Sequence, residues 1–176
     1  SVPHEMTIPR RLAGRYLKIE LLGISGSFDF VFDKLTFKTQ TSVTNEAPAL
    51  ASTTDPLVRD IYKVGLNTLK ECMQTVYEDG PKRDRRLWIG DLYLEALANA
   101  HTFKNHELTK HCLYLLAAFA NDEGLLHATL LEKPQPHPQY GTHTLDYCLI
   151  YNVALLEYLK ETGDRETAND LWPVVV

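Results

Sequence analysis

From residue 55 onward, apolar side chains recur every three to five residues, and this helical period restricts the fold more than any other feature of the sequence. Asp55 followed by Pro56 is typical of a helix start, because aspartate accepts hydrogen bonds from free backbone amides and proline suits the first turn. This first helix is predicted to run to about Tyr77 and to bury one stripe of side chains: Leu57, Ile61, Val64, Leu69, Cys72 and Val76. Further helices are predicted at about 88–102, 105–120 and 144–161, and from about residue 165.

The start of the chain follows a different period. Between Arg15 and Phe37, apolar and polar residues alternate on both sides of a glycine-serine turn, which predicts two β-strands. Two strands alone are marginally stable in water, so we expect more sheet-forming sequence before Ser1. The stretch 39–54 is rich in threonine, serine and alanine, and shows neither strand nor helix periodicity.

These patterns predict a domain organisation. Residues 1–38 are predicted to be the end of a β-sandwich domain, 39–54 a linker, and 55–176 a mainly α-helical domain. The segment 121–142 contains several prolines and glycines and is too long for a simple connector, so we expect it to form a structured loop.

Composition excludes several classes of function. The chain has 18 basic and 23 acidic residues, a balance that disfavours nucleic acid and acidic membrane surfaces as partners. No apolar run is long enough to cross a bilayer. The three cysteines, Cys72, Cys112 and Cys148, lie in helix-like apolar patterns and are predicted to be reduced core residues. The first residues lack the layout of a signal peptide, which favours a cytoplasmic location.

The segment Asp79–Asp91 carries the residues best suited to catalysis. Glycoside hydrolysis needs one protonated and one ionised carboxyl group, and Asp79, Asp84 and Asp91 can supply carboxyls in a break between two predicted helices. Interleaved arginines, which lower the pKa of neighbouring carboxyls, can make one acid differ from the others. Trp88 offers a flat apolar face to a sugar ring.

A simpler interpretation of the same segment is a solvated turn held by salt bridges. A dense charge run between helices usually has that role, with Asp91 as a helix cap and Trp88 as a core residue. The charge pattern by itself favours this interpretation.

The histidines give weaker indications. His106 and His111 are five residues apart, which turns them away from each other on a helix, so with His101 they are not predicted to bind a metal ion. A further group of residues lies in or beside the long loop: His127, His137, Tyr140, His143 and Asp146. These residues either border a substrate pocket or are ordinary loop residues.

The order of residues in Asp79–Asp91 resembles the signature of the α-L-rhamnosidase family: an aspartate, then proline, arginine and an acidic residue, then tryptophan, glycine and aspartate at a helix start. The surroundings are also similar, including 55–57, 94–99, 140–147 and 162–164. The resemblance covers most of the chain from about Arg15. It implies an (α/α)6 six-hairpin toroid preceded by β-sandwich domains, and an inverting mechanism that uses no cofactor and no metal.

The resemblance also assigns roles to residues. It places Asp84 at the position of the general acid. Asp79 and Asp91 fall among the residues that bind rhamnose hydroxyls, and Arg83 is grouped with them as substrate-binding. Trp88 falls in a wall of the sugar pocket. The commonest form of the signature has a glutamate after the arginine-acid pair and one more residue before tryptophan, and a different gap placement removes the acid role from Asp84.

The implied partner base is a glutamate further along the toroid, so we expect it beyond Val176 and expect this chain alone to be an inactive fragment. The expected partner is a carbohydrate substrate, a terminal α-L-rhamnoside. The sequence is also compatible with a homo-oligomer. Two alternatives remain: the same fold acting on another sugar, and a non-catalytic α-helical module that binds another protein through its apolar faces.

Overall fold

The computed structural model describes residues 4–27 and 29–175, and the chain divides into two compact units, Ser1–Thr39 and Gln40–Val176. In the first unit, no strand is present among the described residues, and nearly all of their side chains are exposed. The two predicted strands are therefore absent from 4–27 and 29–39. Alternation predicts which face of a strand would be buried, but a pair of strands needs further neighbours to form a stable sheet.

The second unit is mainly helical. Its helices are α1 (Pro56–Cys72), α2 (Ile89–His101), α3 (His106–Ala117), α4 (Leu145–Thr162) and α5 (Arg165–Leu171), and a 3-10 turn follows at Trp172–Val174. The predicted start of α1 is confirmed, because the Asp55 carboxylate accepts a hydrogen bond from the Leu57 amide at 2.8 Å. The predicted helices correspond to observed ones, with ends that differ by a few residues.

Helix α1 differs from the prediction in two ways. It ends at Cys72 and not near Tyr77, because Met73 has an extended backbone and forms an isolated bridge with Tyr77. The expected buried stripe is wrong over the first half of the helix, where the exposed fractions of Leu57, Ile61 and Val64 are 66%, 62% and 64%. Apolar periodicity shows which face of a helix can be buried, and burial also requires a neighbouring element.

A small antiparallel sheet packs beside the helices. Its strands are β1 (Leu87–Trp88), β2 (Thr129–Leu131) and β3 (His137–Pro138), in the order β1-β2-β3. In the register, Trp88 lies opposite Thr129 and Leu130 lies opposite Pro138. The predicted structured loop is therefore the β2–β3 hairpin with its flanking turns, and this hairpin fixes the strand that leads into α2.

The core lies between the end of α1, the sheet and helices α2, α3 and α4. It includes the fully buried side chains of Met73, Tyr77, Leu92, Leu113 and Tyr151. Residues 40–46, predicted to belong to a linker, form hydrogen bonds with this unit, as when Thr41 Oγ1 donates to the Lys70 carbonyl at 2.8 Å.

The junction of α4 and α5 explains the sequence Thr162-Gly163-Asp164. Gly163 ends α4 with a φ of 71°, a left-handed conformation that glycine adopts without a steric penalty. Asp164 caps α5 by accepting from the Thr167 amide at 3.0 Å, and it also accepts from Lys110 and Tyr158. These hydrogen bonds hold the pKa of Asp164 below its usual range.

All three cysteines are free, and only Cys112 is fully buried. The prediction that Cys72 and Cys148 are core residues is not met, because both are half-buried. None of the helices in the described ranges is long and apolar enough to cross a membrane.

Candidate active site

The acidic segment begins with a tight loop between the end of α1 and β1. Asp79 and Arg86 exchange two backbone hydrogen bonds, of 2.9 and 3.2 Å, and the amides of Arg83 and Arg85 both donate to the carbonyl of Gly80. Gly80 has a φ of 66°, and a Cβ there would lie 2.7 Å from an Asp84 carboxylate oxygen. The loop therefore needs glycine at this position, both for its backbone conformation and for the close approach of Asp84.

Arg83 joins two of the predicted site aspartates. Its Nη2 donates to Asp79 at 2.6 Å, and its Nε donates to Asp84 at 3.1 Å. Asp84 also forms an ion pair with Arg86, whose Nε lies 2.9 Å away without hydrogen-bond geometry. Both aspartates are therefore paired, and Arg83, whose side chain is 69% exposed, is the most accessible member of the group.

Arg86 ties the loop to the β2–β3 hairpin, since its Nη1 donates to the side chain of Gln139, which follows β3. Together with the pairing of β1 and β2, this hydrogen bond fixes the acidic loop against a part of the chain that is distant in sequence.

Trp88 lies at the junction of β1 and α2 and is half-buried. Its ring packs edge-on against Tyr147 of α4, with centroids 6.3 Å apart. Within the described ranges, its indole Nε1 is enclosed and has no hydrogen-bonding partner. Tyr147 also lies over Gly90, where an added Cβ would be 3.0 Å from the phenol oxygen. The glycine before Asp91 is thus required by the close approach of α4.

Asp91 lies in the first turn of α2 and does not cap it, since the N-cap residue is Trp88. Burial raises the pKa of Asp91, the charge of Asp79 raises it further, and Arg83 opposes the shift. The same two aspartates raise the pKa of Tyr147, for which burial is the larger cause. Asp79, Asp91 and Tyr147 therefore share one electrostatic environment at the start of α2.

Glu95 lies one helical turn beyond Asp91. Burial raises its pKa to about 8, and the charges of Asp91, Asp79 and Glu78 act in the same direction. Its Oε2 is enclosed without a hydrogen-bonding partner in the described part of the chain. The sequence prediction included neither Glu95 nor Tyr147. The four-residue spacing from Asp91, which places two side chains on one helix face, was the available signal for Glu95.

The structure thus brings Asp79, Arg83 and Asp84 into direct contact and places Asp91 within electrostatic range of Asp79. Trp88 follows the same loop. The salt bridges expected of a solvated turn are also present, so the geometry contains features of both interpretations. The roles given to these residues stay predictions.

The loop histidines form a separate cluster. The rings of His127 and His143 are 4.1 Å apart, and Tyr140 packs edge-on against His127 at 5.7 Å. Burial and the nearby His143 lower the pKa of His127. His143 Nδ1 lies 3.0 Å from the Leu126 carbonyl oxygen, and His137 Nδ1 lies 2.7 Å from the carbonyl oxygen of the nearby Gln135. That these residues and Asp146 border a substrate pocket stays a prediction.

A cleft lies elsewhere, among α2, α3 and α4. Its lining includes Tyr93, His106 and Glu157, and no residue of the acidic segment. Across residues 4–27 and 29–175, no group of three or more histidine, cysteine, aspartate or glutamate side chains has the arrangement of a metal site.

Comparisons with known proteins agree with the signature in this segment. Residues 47–175 match the family model described as the bacterial α-L-rhamnosidase six-hairpin glycosidase domain, and residues 1–39 match the glycosyl hydrolase family 78 α-rhamnosidase N-terminal domain. No curated protein matches the chain.

Two solved structures are similar to the chain. A rhamnosidase from Klebsiella oxytoca with rhamnose bound is 44% identical, with a TM-score of 0.72 over 77% of this chain and 26% of its own. A family 78 rhamnosidase from Bacillus sp. GL1 is 24% identical, with a TM-score of 0.65 over 75% of this chain and 13% of its own, and supports the fold alone. The chain spans about a quarter of the length of the Klebsiella protein. Because the family model covers most of the sequence, the chain belongs to the bacterial α-L-rhamnosidase six-hairpin glycosidase family.

Proposed function

We propose that this chain supplies the acid side of an inverting glycoside hydrolase site that cleaves terminal α-L-rhamnosides. Asp84 is the general acid in this proposal, and Asp79, Arg83 and Asp91 hold sugar hydroxyls. The partner base, a glutamate, comes from a part of the family's domain that this chain does not contain. Residues 55–176 are then part of the (α/α)6 toroid, and residues 1–38 belong to a preceding β-sandwich domain.

The observation that carries the proposal is the single group formed by Asp79, Arg83 and Asp84 on the loop that leads into α2. Hydrolysis with inversion needs an acid and a base on opposite faces of the sugar, about 6.5–9.5 Å apart. One loop cannot supply both faces, which supports a base from a distant part of the fold. The match to a rhamnosidase with rhamnose bound supports the choice of sugar.

Arg83 has a defined part in this scheme. A protonated Asp84 is uncharged and forms an ion pair with neither Arg83 nor Arg86, so both ion pairs must open before Asp84 acts as the acid, and Arg83 must move away from it. The exposure of the Arg83 side chain permits this movement. Trp88 forms a wall of the sugar pocket in this proposal, through its flat apolar face.

The test is Asp84→Asn in a full-length protein that carries this sequence and the remainder of its domain. We expect kcat for a phenyl α-L-rhamnoside to fall by about 10²- to 10⁴-fold, the usual contribution of general acid catalysis. The loss should be smaller for a nitrophenyl rhamnoside, because a good leaving group needs less protonation.

The control is Asp122→Asn, which changes an exposed loop aspartate outside the acidic segment. It should leave both rates unchanged. If Asp84→Asn slows both substrates less than about tenfold, Asp84 is not the general acid.

The alternatives have different signatures. A screen of aryl glycosides would detect the same fold acting on another sugar. A non-catalytic helical module would bind a partner protein equally well after Asp79, Asp84 and Asp91 are all changed to asparagine, and the full-length protein would hydrolyse none of the glycosides.

A further inference from the structure

Glu95 is a half-buried glutamate of α2, and one of its carboxylate oxygens is enclosed. It follows Asp91 by four residues on α2, so the two side chains lie on the same face of the helix, with Glu95 one turn deeper. Its Oε2 is shielded from solvent and has no hydrogen-bonding partner within the described residues. A buried ionised carboxylate without partners is costly, so this position favours the uncharged acid.

The groups that act electrostatically on Glu95, or on which it acts, come from three helices and from the segment that follows α1. They are all acids in the part of the chain that the structure describes: Cys72 of α1, Tyr77, Glu78 and Asp79 after it, Asp91 of α2 and Cys112 of α3. No cation contributes to the shift in the pKa of Glu95 among these residues. Desolvation disfavours the charged form of a carboxyl, and Glu95 is more deeply buried than Asp91.

We propose that Glu95 is a positioning residue, which stays uncharged one turn beyond Asp91 and thereby favours the ionised form of Asp91, where that carboxylate accepts hydrogen bonds from sugar hydroxyls beside Asp79. This inference rests on the proposed function, because it assigns Asp79 and Asp91 to sugar binding. An ionised Glu95 would add a further negative charge beside Asp79 and Asp91. Either a proton would then return to Asp91, or the carboxylates would move apart. Either change removes an acceptor from the sugar.

The first measurement needs no sugar. Carboxyl-detected NMR titration of the 176-residue chain should place the titration midpoint of Glu95 at about 8, and not at the ordinary value of a glutamate, 4.5. A midpoint at the ordinary value would overturn the proposal, because Glu95 would then be charged at neutral pH.

The second measurement is the pH dependence of L-rhamnose binding to a full-length protein that carries this sequence and the remainder of its domain, followed by NMR shifts of the Trp88 indole. Between pH 7 and 9 the wild-type affinity should fall by about tenfold, the effect of one pKa unit of coupling. Glu95→Gln keeps the shape of the uncharged acid and cannot ionise, so its affinity should match the wild type at pH 7 and stay constant to pH 9. Glu123→Gln, at an exposed turn, should retain the wild-type decline.

The two failures can be distinguished. If rhamnose binds and Glu95→Gln shows the same decline as the wild type, the inference is wrong while the proposed function stands. If rhamnose binds at no pH to the wild type or to either variant, the assignment of Asp79 and Asp91 to sugar binding fails, and the role of Glu95 fails with it.

Discussion

Asn99 is the buried polar side chain that connects the end of α1 with α2 and α3. It is 0% exposed, and its amide donates to the Tyr77 hydroxyl at 2.8 Å and to the Asn105 carbonyl at 2.9 Å. Its oxygen accepts from the Asn105 amide at 3.0 Å. The Tyr77 hydroxyl also pairs with Thr109 of α3. The Asn99 amide therefore helps to hold the segment that precedes the acidic loop, together with Thr109.

Replacing this amide should destabilise the unit strongly. Asn99→Ala removes three hydrogen bonds and leaves the Asn105 amide without its partner, so we expect the free energy of unfolding to fall by about 2–3 kcal/mol. Urea denaturation followed by circular dichroism measures the change. Asn152→Ala, at a half-buried position on α4, should change the free energy by less than about 0.5 kcal/mol. Equal effects of the two substitutions would contradict this account.

At single residues, the sequence predicted that the carboxyls of Asp79, Asp84 and Asp91 can converge in a break between two helices. The structure joins Asp79 and Asp84 through Arg83, while the roles of these residues stay predictions. Tyr147 and Glu95 were missed. Tyr147 lies more than fifty residues away and meets the segment only through the packing of α4 on Gly90.

At the level of elements, the helices could be predicted because local signals agree with the tertiary structure. Caps such as Asp55 and Asp164 and the glycine after α4 mark ends that the backbone itself favours. The end of α1 could not be found in this way, because the apolar spacing continues through Val76 after the backbone has become extended. The predicted strands depended on partners that local alternation cannot supply.

Replacing each of two glycines by alanine should change the stability of the unit in opposite directions, because the two glycines have different backbone conformations. Gly163→Ala places a Cβ at a φ of 71° and should destabilise the unit by about 1 kcal/mol. Gly65→Ala, in the interior of α1 with nothing within 4 Å of the added Cβ, should stabilise it by about 0.5–1 kcal/mol. Thermal unfolding of both variants checks the signs. Stabilisation by Gly163→Ala would show that the left-handed backbone at the end of α4 does not require glycine, and destabilisation by Gly65→Ala would contradict the helix-propensity argument for α1.

At the level of the whole molecule, the sequence predicted two parts that differ in structure, and it placed a linker at 39–54. The structure divides the chain after Thr39, while the domain boundaries themselves stay a prediction. Apolar faces on α1 and α4 are exposed, including Leu57, Ile61, Leu145 and Leu149. Periodicity predicted that such faces can be buried, and it could not indicate which elements of a larger fold would cover them.

Shortening the chain tests whether residues 40–46 belong to the helical unit. A chain beginning at Gln40 should unfold at the same urea concentration as the whole chain, because every buried apolar residue in the described ranges lies after Thr39. A chain beginning at Ala47 loses the bonds from Thr41 to Lys70, from Asn45 to Phe103 and from Asn105 to the Ser42 carbonyl.

The chain beginning at Ala47 should therefore be less stable by about 2–4 kcal/mol, at about 1 kcal/mol for each hydrogen bond together with the lost packing of Val43. Urea denaturation of the two shortened chains at one pH gives the comparison. If both unfold at the same urea concentration, residues 40–46 are a passive connection, as the sequence alone predicted. If only the longer one keeps the stability of the whole chain, these residues are part of the support of α1, and the linker is shorter than its composition suggests.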